Sequence, residues 1–466
     1  MRTTEEKVEQ RCKVIKMEGD SLTPISIFHR VKGRKKCLLE SSLKHLETGR
    51  YSFIAFNPVR EVKAFGEQVK LVDHLKGTKL EKSGQALRVL EEFLPSTDVS
   101  GEYPFSAGAI GYIGYDVIRQ HEFIGSEKAN QLGMPDLHFM VYQDVIVFDH
   151  ISQEVHIICT TLSRNRTGEE LEKDAIEIKN MIETDLRPNE PVGKAMEFKK
   201  EISQAEFENM VKEAKEYIKN GDVFQVVLSQ RLQADFTGSP FDLYRKLRKT
   251  NPSPYMFYLD FDDYVVIGSS PESFIKLNGR ILTTNPIAGT RRRGKTQEED
   301  LFFEKELLND EKELAEHKML VDLGRNDIGR VCEVGSITIP KFMAIERYKY
   351  VMHIVSEATG ILNDDLTGID ALISCLPAGT VSGAPKIRAM QIINELEKNK
   401  RGVYSGAIGY INGNGNMDFA LAIRTMVIKD HKAYVQAGAG VVHDSIPKLE
   451  YQETLNKAKA LLEVSK

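Results

Sequence analysis

Two pairs of glutamates carry a spacing that lets them work together. Glu313 and Glu316 stand three residues apart, and Glu450 and Glu453 repeat that interval with Lys457 four residues further on. On a helix, residues three or four apart share a face, and both pairs fall in stretches with helical character. One such pair alone is most often a solvated face, and Lys457 is an ordinary partner for Glu453. If both pairs enter one cleft, two carboxylates about 4 Å apart repel by about 4 kcal/mol at an effective dielectric near 20. Four would then need a cation between them. Oxygen donors without Cys or His select a hard ion, Mg²⁺ before Zn²⁺.

Three loops of small residues could receive an anion. They are 285–290 (Asn-Pro-Ile-Ala-Gly-Thr) with Arg291, Arg292 and Arg293 after it, 377–385, and 437–440 (Ala-Gly-Ala-Gly) after a strand. Glycine lets backbone N–H groups approach an anion, and arginine adds charge. Arg424, in the strand-like 421–426, is either an outward-facing strand residue or a two-pronged clamp on a carboxylate. These groups describe an enzyme-like protein for a small anionic substrate with Mg²⁺, mainly in the second half. They do not name the reaction.

The elements that must hold these groups follow from periodicity and punctuation. Residues 1 to about 190 are strand-rich. The β-branched and aromatic runs 139–148 and 154–161 are expected to form a hairpin around His150. A charged amphipathic helix is expected over 168–185, and Pro188, Pro191 and Gly193 mark a linker over 187–193. Ser203 and Glu206 form a capping box for a helix ending at Gly221. Strands are expected at 223–232, 255–260, 264–269 and 280–284, one long helical stretch over 297–326, and a last helix starting at Pro447. The chain thus divides into an N-terminal region, 1–190, and a catalytic region, 197–466, packed as one body. The sequence Gly-Ala-Ile-Gly-Tyr-Ile occurs at 108–113 and again at 406–411. It is either a pair of similar strands whose glycines allow close approach or the trace of a duplication.

Composition limits the classes. The 466 residues carry a net charge of −5, with 41% hydrophobic and 28% charged residues, as in an ordinary globular protein. Near-neutrality argues against a general nucleic-acid binder. No run of 18 apolar residues suggests a membrane span, and Met1 to Lys7 carries no apolar leader segment. Five widely spaced cysteines show no metal-type spacing, so a reducing, cytoplasmic compartment is expected.

At 221–229 (Gly-Asp-Val-Phe-Gln-Val-Val-Leu-Ser), 271–273 (Pro-Glu-Ser), 286–291, 316–327 (Glu-His-Lys-Met-Leu-Val-Asp-Leu-Gly-Arg-Asn-Asp), 353–356, 377–386, 437–440 and 450–457 the chain resembles the chorismate-utilising enzymes. Among them it is similar to the large subunits of anthranilate synthases. The first half shares the likeness through 38–42 (Leu-Leu-Glu-Ser-Ser), 50–52 and 108–112. The resemblance implies an α+β fold of two large packed antiparallel sheets with helices outside. It also implies that chorismate and ammonia, supplied by a glutaminase subunit, give anthranilate and pyruvate.

Residue by residue, the resemblance makes Glu316 and Glu453 direct Mg²⁺ ligands, with Glu313 and Glu450 behind them holding waters. Gly289, Thr290, Gly438, Ala439 and Gly440 would meet the ring carboxylate of chorismate, and Tyr404 and Arg424 its enolpyruvyl carboxylate. Glu272 would be the general acid, so burial should raise its pKa. His353 would serve in leaving-group and elimination chemistry, Thr380 would donate a hydrogen bond, and Lys457 would sit near the metal end. Gln225 stands where isochorismate synthases carry a lysine, and Ala288 where aminodeoxychorismate synthases typically do. Both favour ammonia as nucleophile and anthranilate as product. The alternatives are an aminodeoxychorismate synthase and a non-catalytic amino-acid sensor on the same fold. A tryptophan feedback pocket is implied at Glu40 and Ser41, lined by Pro254, Tyr255 and Met256.

Overall fold

The computed structural model describes residues 12–41, 49–95, 103–162, 166–184, 193–348 and 351–464. Ser42 and residues 187–192 of the expected linker lie outside them. Two 12-stranded sheets dominate, with helices around them.

Each sheet is built from both halves of the chain in the same order. Outward from the middle of the first sheet, one half runs Cys37–Glu40, Tyr51–Ala55, Asp144–Asp149, Glu154–Thr160, Cys12–Glu18. The other half runs Tyr255–Asp260, Tyr264–Ser270, Thr425–Lys429, Lys432–Val441, Gln225–Asp235. The second sheet repeats the pattern from a central pair, Gly108–Ile113 against Ala407–Asn412. That pair is the repeated hexapeptide itself, antiparallel, with Gly111 opposite Gly409. A Cβ on Gly111 would lie 2.1 Å from the carbonyl oxygen of His138, and one on Gly409 the same distance from that of Asp418. The close approach is met, and the matched strand order is what a duplication would leave. The glycines permit close backbone approach.

Between the sheets lie Phe53, Phe105, Tyr112, Phe257, Phe261 and Tyr410, all buried. Burial of each such side chain contributes about 1.5–3 kcal/mol.

Three sequence expectations change. The run 139–148 is two strands, because the chain passes from one sheet to the other at Gln143. Leu137–Tyr142 joins the second sheet, and only Asp144–Asp149 pairs with Glu154–Thr160. The symmetry-related crossing falls at Ile423 and Arg424, between Met417–Leu421 and Thr425–Lys429, so 421–426 is not one strand. The helical stretch 297–326 breaks at Asn309 into Gln297–Leu308 and Glu311–Gly329. The Asp310 carboxylate accepts from the backbone N–H of Lys312 and Glu313 and starts the second helix. The capping box at Ser203 and Glu206 and the proline start at Pro447 are present as expected.

Candidate active site

Glu272 sits at the turn between Tyr264–Ser270 and Ser273–Asn278, where the chain leaves one sheet for the other. The Thr380 hydroxyl, from the short helix Gly379–Ser382, donates to Glu272 Oε1 at 2.7 Å. Burial pushes the Glu272 carboxyl up to about 7, against the opposing pull of Thr380, Lys457 and Arg424. A carboxyl poised there can hold a proton near neutrality and release it to a leaving group.

Arg424 occupies the sheet crossing with a φ of 47°, a left-handed conformation that costs a non-glycine residue about 1–3 kcal/mol. Such strain persists where the surroundings enforce it. Among the described residues its guanidinium has no hydrogen-bond or salt-bridge partner, while Glu272 lies close enough to interact with its charge. An unpaired, half-buried guanidinium beside a carboxyl whose pKa burial pushes up to about 7 can receive a carboxylate. Tyr404, buried, precedes Ser405, itself at a φ of 65°. A Cβ on Gly438 would lie 2.6 Å from the Tyr404 hydroxyl, so only glycine leaves room there.

On the opposite sheet a bulge separates Ala288 from Thr290 in the pairing with Val351–Ile361. Gly289, at a φ of 66°, forms that bulge. It turns its carbonyl toward His353, whose Nδ1 lies 3.1 Å from Gly289 O and 3.0 Å from Thr290 Oγ1. A carbonyl only accepts, so the contact assigns the proton to Nδ1 and leaves the Nε2 lone pair open. Burial lowers the His353 pKa, which keeps the ring neutral.

The four glutamates form two pairs on two helices, Glu311–Gly329 and Pro447–Glu463. Burial and then Glu316 raise the pKa of Glu313; burial raises that of Glu450, with Glu453 adding to it. Gln225 Nε2 donates to Glu316 Oε1 at 3.1 Å, and Lys457 holds Glu453 Oε1 at 2.7 Å. Among the described residues, no three His, Cys, Asp or Glu side chains gather at metal-holding distance, so the four glutamates do not form a single ligand cluster. Their donors are all carboxylate oxygens, the type a hard divalent cation takes, and Arg291 at Glu313 and Lys457 at Glu453 offset part of the like charge.

The arginine triplet does not serve an anion. Arg291 is spent on Glu306, Asp310 and Glu313, Arg293 on Asp300, and Arg292 stacks on Phe303. Together they fasten the broken helix pair. Residues 437–440 lie within the strand Lys432–Val441 rather than after it.

The segments expected to hold an amino acid are neighbours. Glu40 and Met256 face each other across paired strands. Glu40 Oε2 accepts from the Tyr244 hydroxyl at 2.6 Å and Arg248 Nε at 3.0 Å, while its buried Oε1 lacks a hydrogen-bond partner. Tyr255 precedes Met256 on the same strand and so projects from the other face. Its hydroxyl donates to Asp418 Oδ1 at 3.1 Å.

A buried network beneath the site escaped sequence reasoning. Arg401 makes a two-pronged pair with Glu397, donates to the carbonyls of Val227 and Val381, and lies 5.6 Å from the Tyr404 ring. Glu397 also accepts from Ser229. In sequence, a Glu and an Arg four apart look like a solvated turn.

The chorismate binding enzyme family matches residues 35–463, and the chain belongs to that family. Anthranilate synthase component 1 from Lactococcus lactis is 48% identical over 461 residues, covering 97% of this chain and 99% of that one. The crystal structure of anthranilate synthase component I from Streptococcus pneumoniae is similar at a TM-score of 0.83 and 46% identity, covering 96% of this chain and 98% of that one. The menaquinone-specific isochorismate synthase of Escherichia coli shares the fold at a TM-score of 0.72 and 19% identity, covering 98% and 96%. Among the described residues no helix is long and apolar enough to cross a membrane.

Proposed function

We propose that this chain converts chorismate and ammonia to anthranilate and pyruvate, as the chorismate-handling component beside a glutaminase that supplies the ammonia. The observation that carries the reading is Glu272, whose carboxyl burial pushes up to about 7, hydrogen-bonded by Thr380 and beside Arg424, which is unpaired among the described residues. Arg424 and Tyr404 hold the enolpyruvyl carboxylate. Ammonia attacks the ring at C2, the double bonds shift, the C4 hydroxyl takes the Glu272 proton and leaves as water, and the new C2 ammonium loses a proton, which restores the acid. The proton on C2 then goes to a base and the C3–oxygen bond breaks, releasing enolpyruvate, which becomes pyruvate. The free Nε2 of neutral His353 supports a role as that base. Mg²⁺, when bound, would neutralise the ring carboxylate. Glu316 and Glu453 would hold it, Glu313 and Glu450 would bind its waters, and Gln225 would orient Glu316. Thr290, Gly438, Ala439 and Gly440 would line the same end, with Lys457 on Glu453.

Ala288 lies on the strand beside Ile354 and offers no amine to the ring, which favours this reading over an aminodeoxychorismate synthase. Five free cysteines, four of them buried, support a cytoplasmic setting. The test is to incubate the chain with chorismate, Mg²⁺ and ammonium at alkaline pH and follow anthranilate fluorescence. Aminodeoxychorismate as sole product, or no turnover, overturns the proposal.

The open Glu40 Oε1 supports tryptophan feedback, as an acceptor for the ligand's ammonium beside the apolar Met256, Pro254 and the Ser41 hydroxyl. Ser41→Phe should fill this pocket and relieve inhibition with little change in uninhibited kcat. Chorismate saturation curves with and without tryptophan decide it, and unaltered inhibition in Ser41→Phe would place the pocket elsewhere.

A further inference from the structure

The strand Gln225–Asp235 pairs along its outer edge only at its ends, with Gly383–Ala384 at Gln225 and Val226 and with Lys199–Lys200 at Leu232 and Gln233. The gap between these pairings opens into a cavity of about 500 Å³ beneath the helix Gln204–Lys219. No residue assigned to catalysis or feedback above lines it.

Two of its lining residues keep a buried polar atom without a hydrogen bond. Arg231, 6% exposed, donates from Nε to Gln436 Oε1 and from Nη2 to Lys400 O, but Nη1 finds no acceptor. The nearby Glu201 Oε2 stands 3.9 Å from it, beyond hydrogen-bond reach. Gln230, 2% exposed, donates to Thr454 Oγ1 and leaves Oε1 unmatched. Buried polar atoms are nearly always paired, so the open Nη1 of Arg231 points to a missing ligand, while Gln230, its neighbour on the strand, projects from the other face toward Thr454. The cation calls for a carboxylate. Glu201 and Glu213 on the rim call for a positive group, and Ile202, Met210 and Leu396 offer an apolar wall.

We propose that this cavity binds a small ammonium carboxylate, an amino acid by class, with its carboxylate on Arg231 and its ammonium on Glu201. The site is wired to the substrate side. Arg231 holds Gln436, Gln436 Nε2 donates to Ser229 Oγ at 2.8 Å, Ser229 donates to Glu397, and Glu397 holds the Arg401 that underlies Tyr404.

The experiment is calorimetric titration of the full chain with each common amino acid, and with propionate and propylammonium as half-molecules. At least one amino acid should bind saturably, with each half-molecule weaker by about tenfold or more, the loss of one charge-assisted contact. Ala205→Trp, at an exposed helix position on the cavity rim, should abolish that binding without shifting Tm. Ser41→Phe should leave it intact, which separates this site from the feedback pocket. Arg231→Met should weaken it, but the buried arginine also supports the fold, so Ala205→Trp is the deciding variant. No saturable binding up to about 10 mM, binding unchanged by Ala205→Trp, or binding lost with Ser41→Phe each overturns the proposal.

Discussion

Replacing Glu272 by glutamine should lower kcat by about 10²–10⁴-fold, the usual worth of general acid catalysis, while chorismate still binds. Glutamine keeps the shape and the Thr380 contact but has no proton to give. Kinetics at saturating chorismate and ammonium separate the outcomes: a loss confined to KM would mean that Glu272 only positions the substrate. The pH dependence carries an independent signature. An acid with its pKa raised to about 7 is competent while protonated, so kcat/KM for chorismate, measured at constant free NH3, should fall as pH rises through about 7. The Thr380 hydroxyl stabilises the carboxylate and lowers that pKa, so Thr380→Val should move the fall to higher pH. Stability follows the same sign. The folded value lies above the ordinary 4.5, so the protonated carboxyl's contribution is complete below 4.5 and is lost as pH rises through about 7. Glu272→Gln cannot ionise, and its Tm should decline less than that of wild type between about pH 5 and pH 8.

Glu316→Ala and Glu453→Ala should each abolish ammonia-dependent activity, by about 10³-fold or more, and leave the fold intact. A metal holding developing charge is worth several kcal/mol, and each tenfold in rate corresponds to about 1.4 kcal/mol. The folding cost should be small. The Glu453 side chain is 47% exposed and pairs with the equally exposed Lys457, an interaction worth about 0–1 kcal/mol. Circular dichroism and Tm check the fold, and Mg²⁺ titration of activity checks the role. Near-normal turnover in either variant at saturating Mg²⁺ would remove these glutamates from metal binding.

The sequence by itself determined the local elements and the types of group available. The capping box at Ser203 and Glu206, the proline start at Pro447 and the Glu-x-x-Glu intervals depend on contacts within one or two helical turns, so short-range rules find them. The family motifs carried the fold class for the same reason: residue types in order are legible without coordinates. What the tertiary structure decided is where the chain changes sheet. Gln143 and Arg424 sit inside runs that look like single strands, because β-branched and apolar residues suit either sheet and period-two alternation does not record which one is joined. Only the folded chain turns Arg424 into an unpaired guanidinium beside Glu272, and only the bulge at Gly289 sets the His353 proton on Nδ1. The arginine triplet shows the converse. In sequence it offered charge to an anion, and in the fold Asp300, Glu306, Asp310 and Glu313 consume it. Charge type is local information, but whether a charge is free depends on partners brought from elsewhere in the chain. The 2.1 Å clearance that admits only glycine at Gly111 and Gly409 likewise exists only once each strand lies against its sheet neighbour, Leu137–Tyr142 or Met417–Leu421.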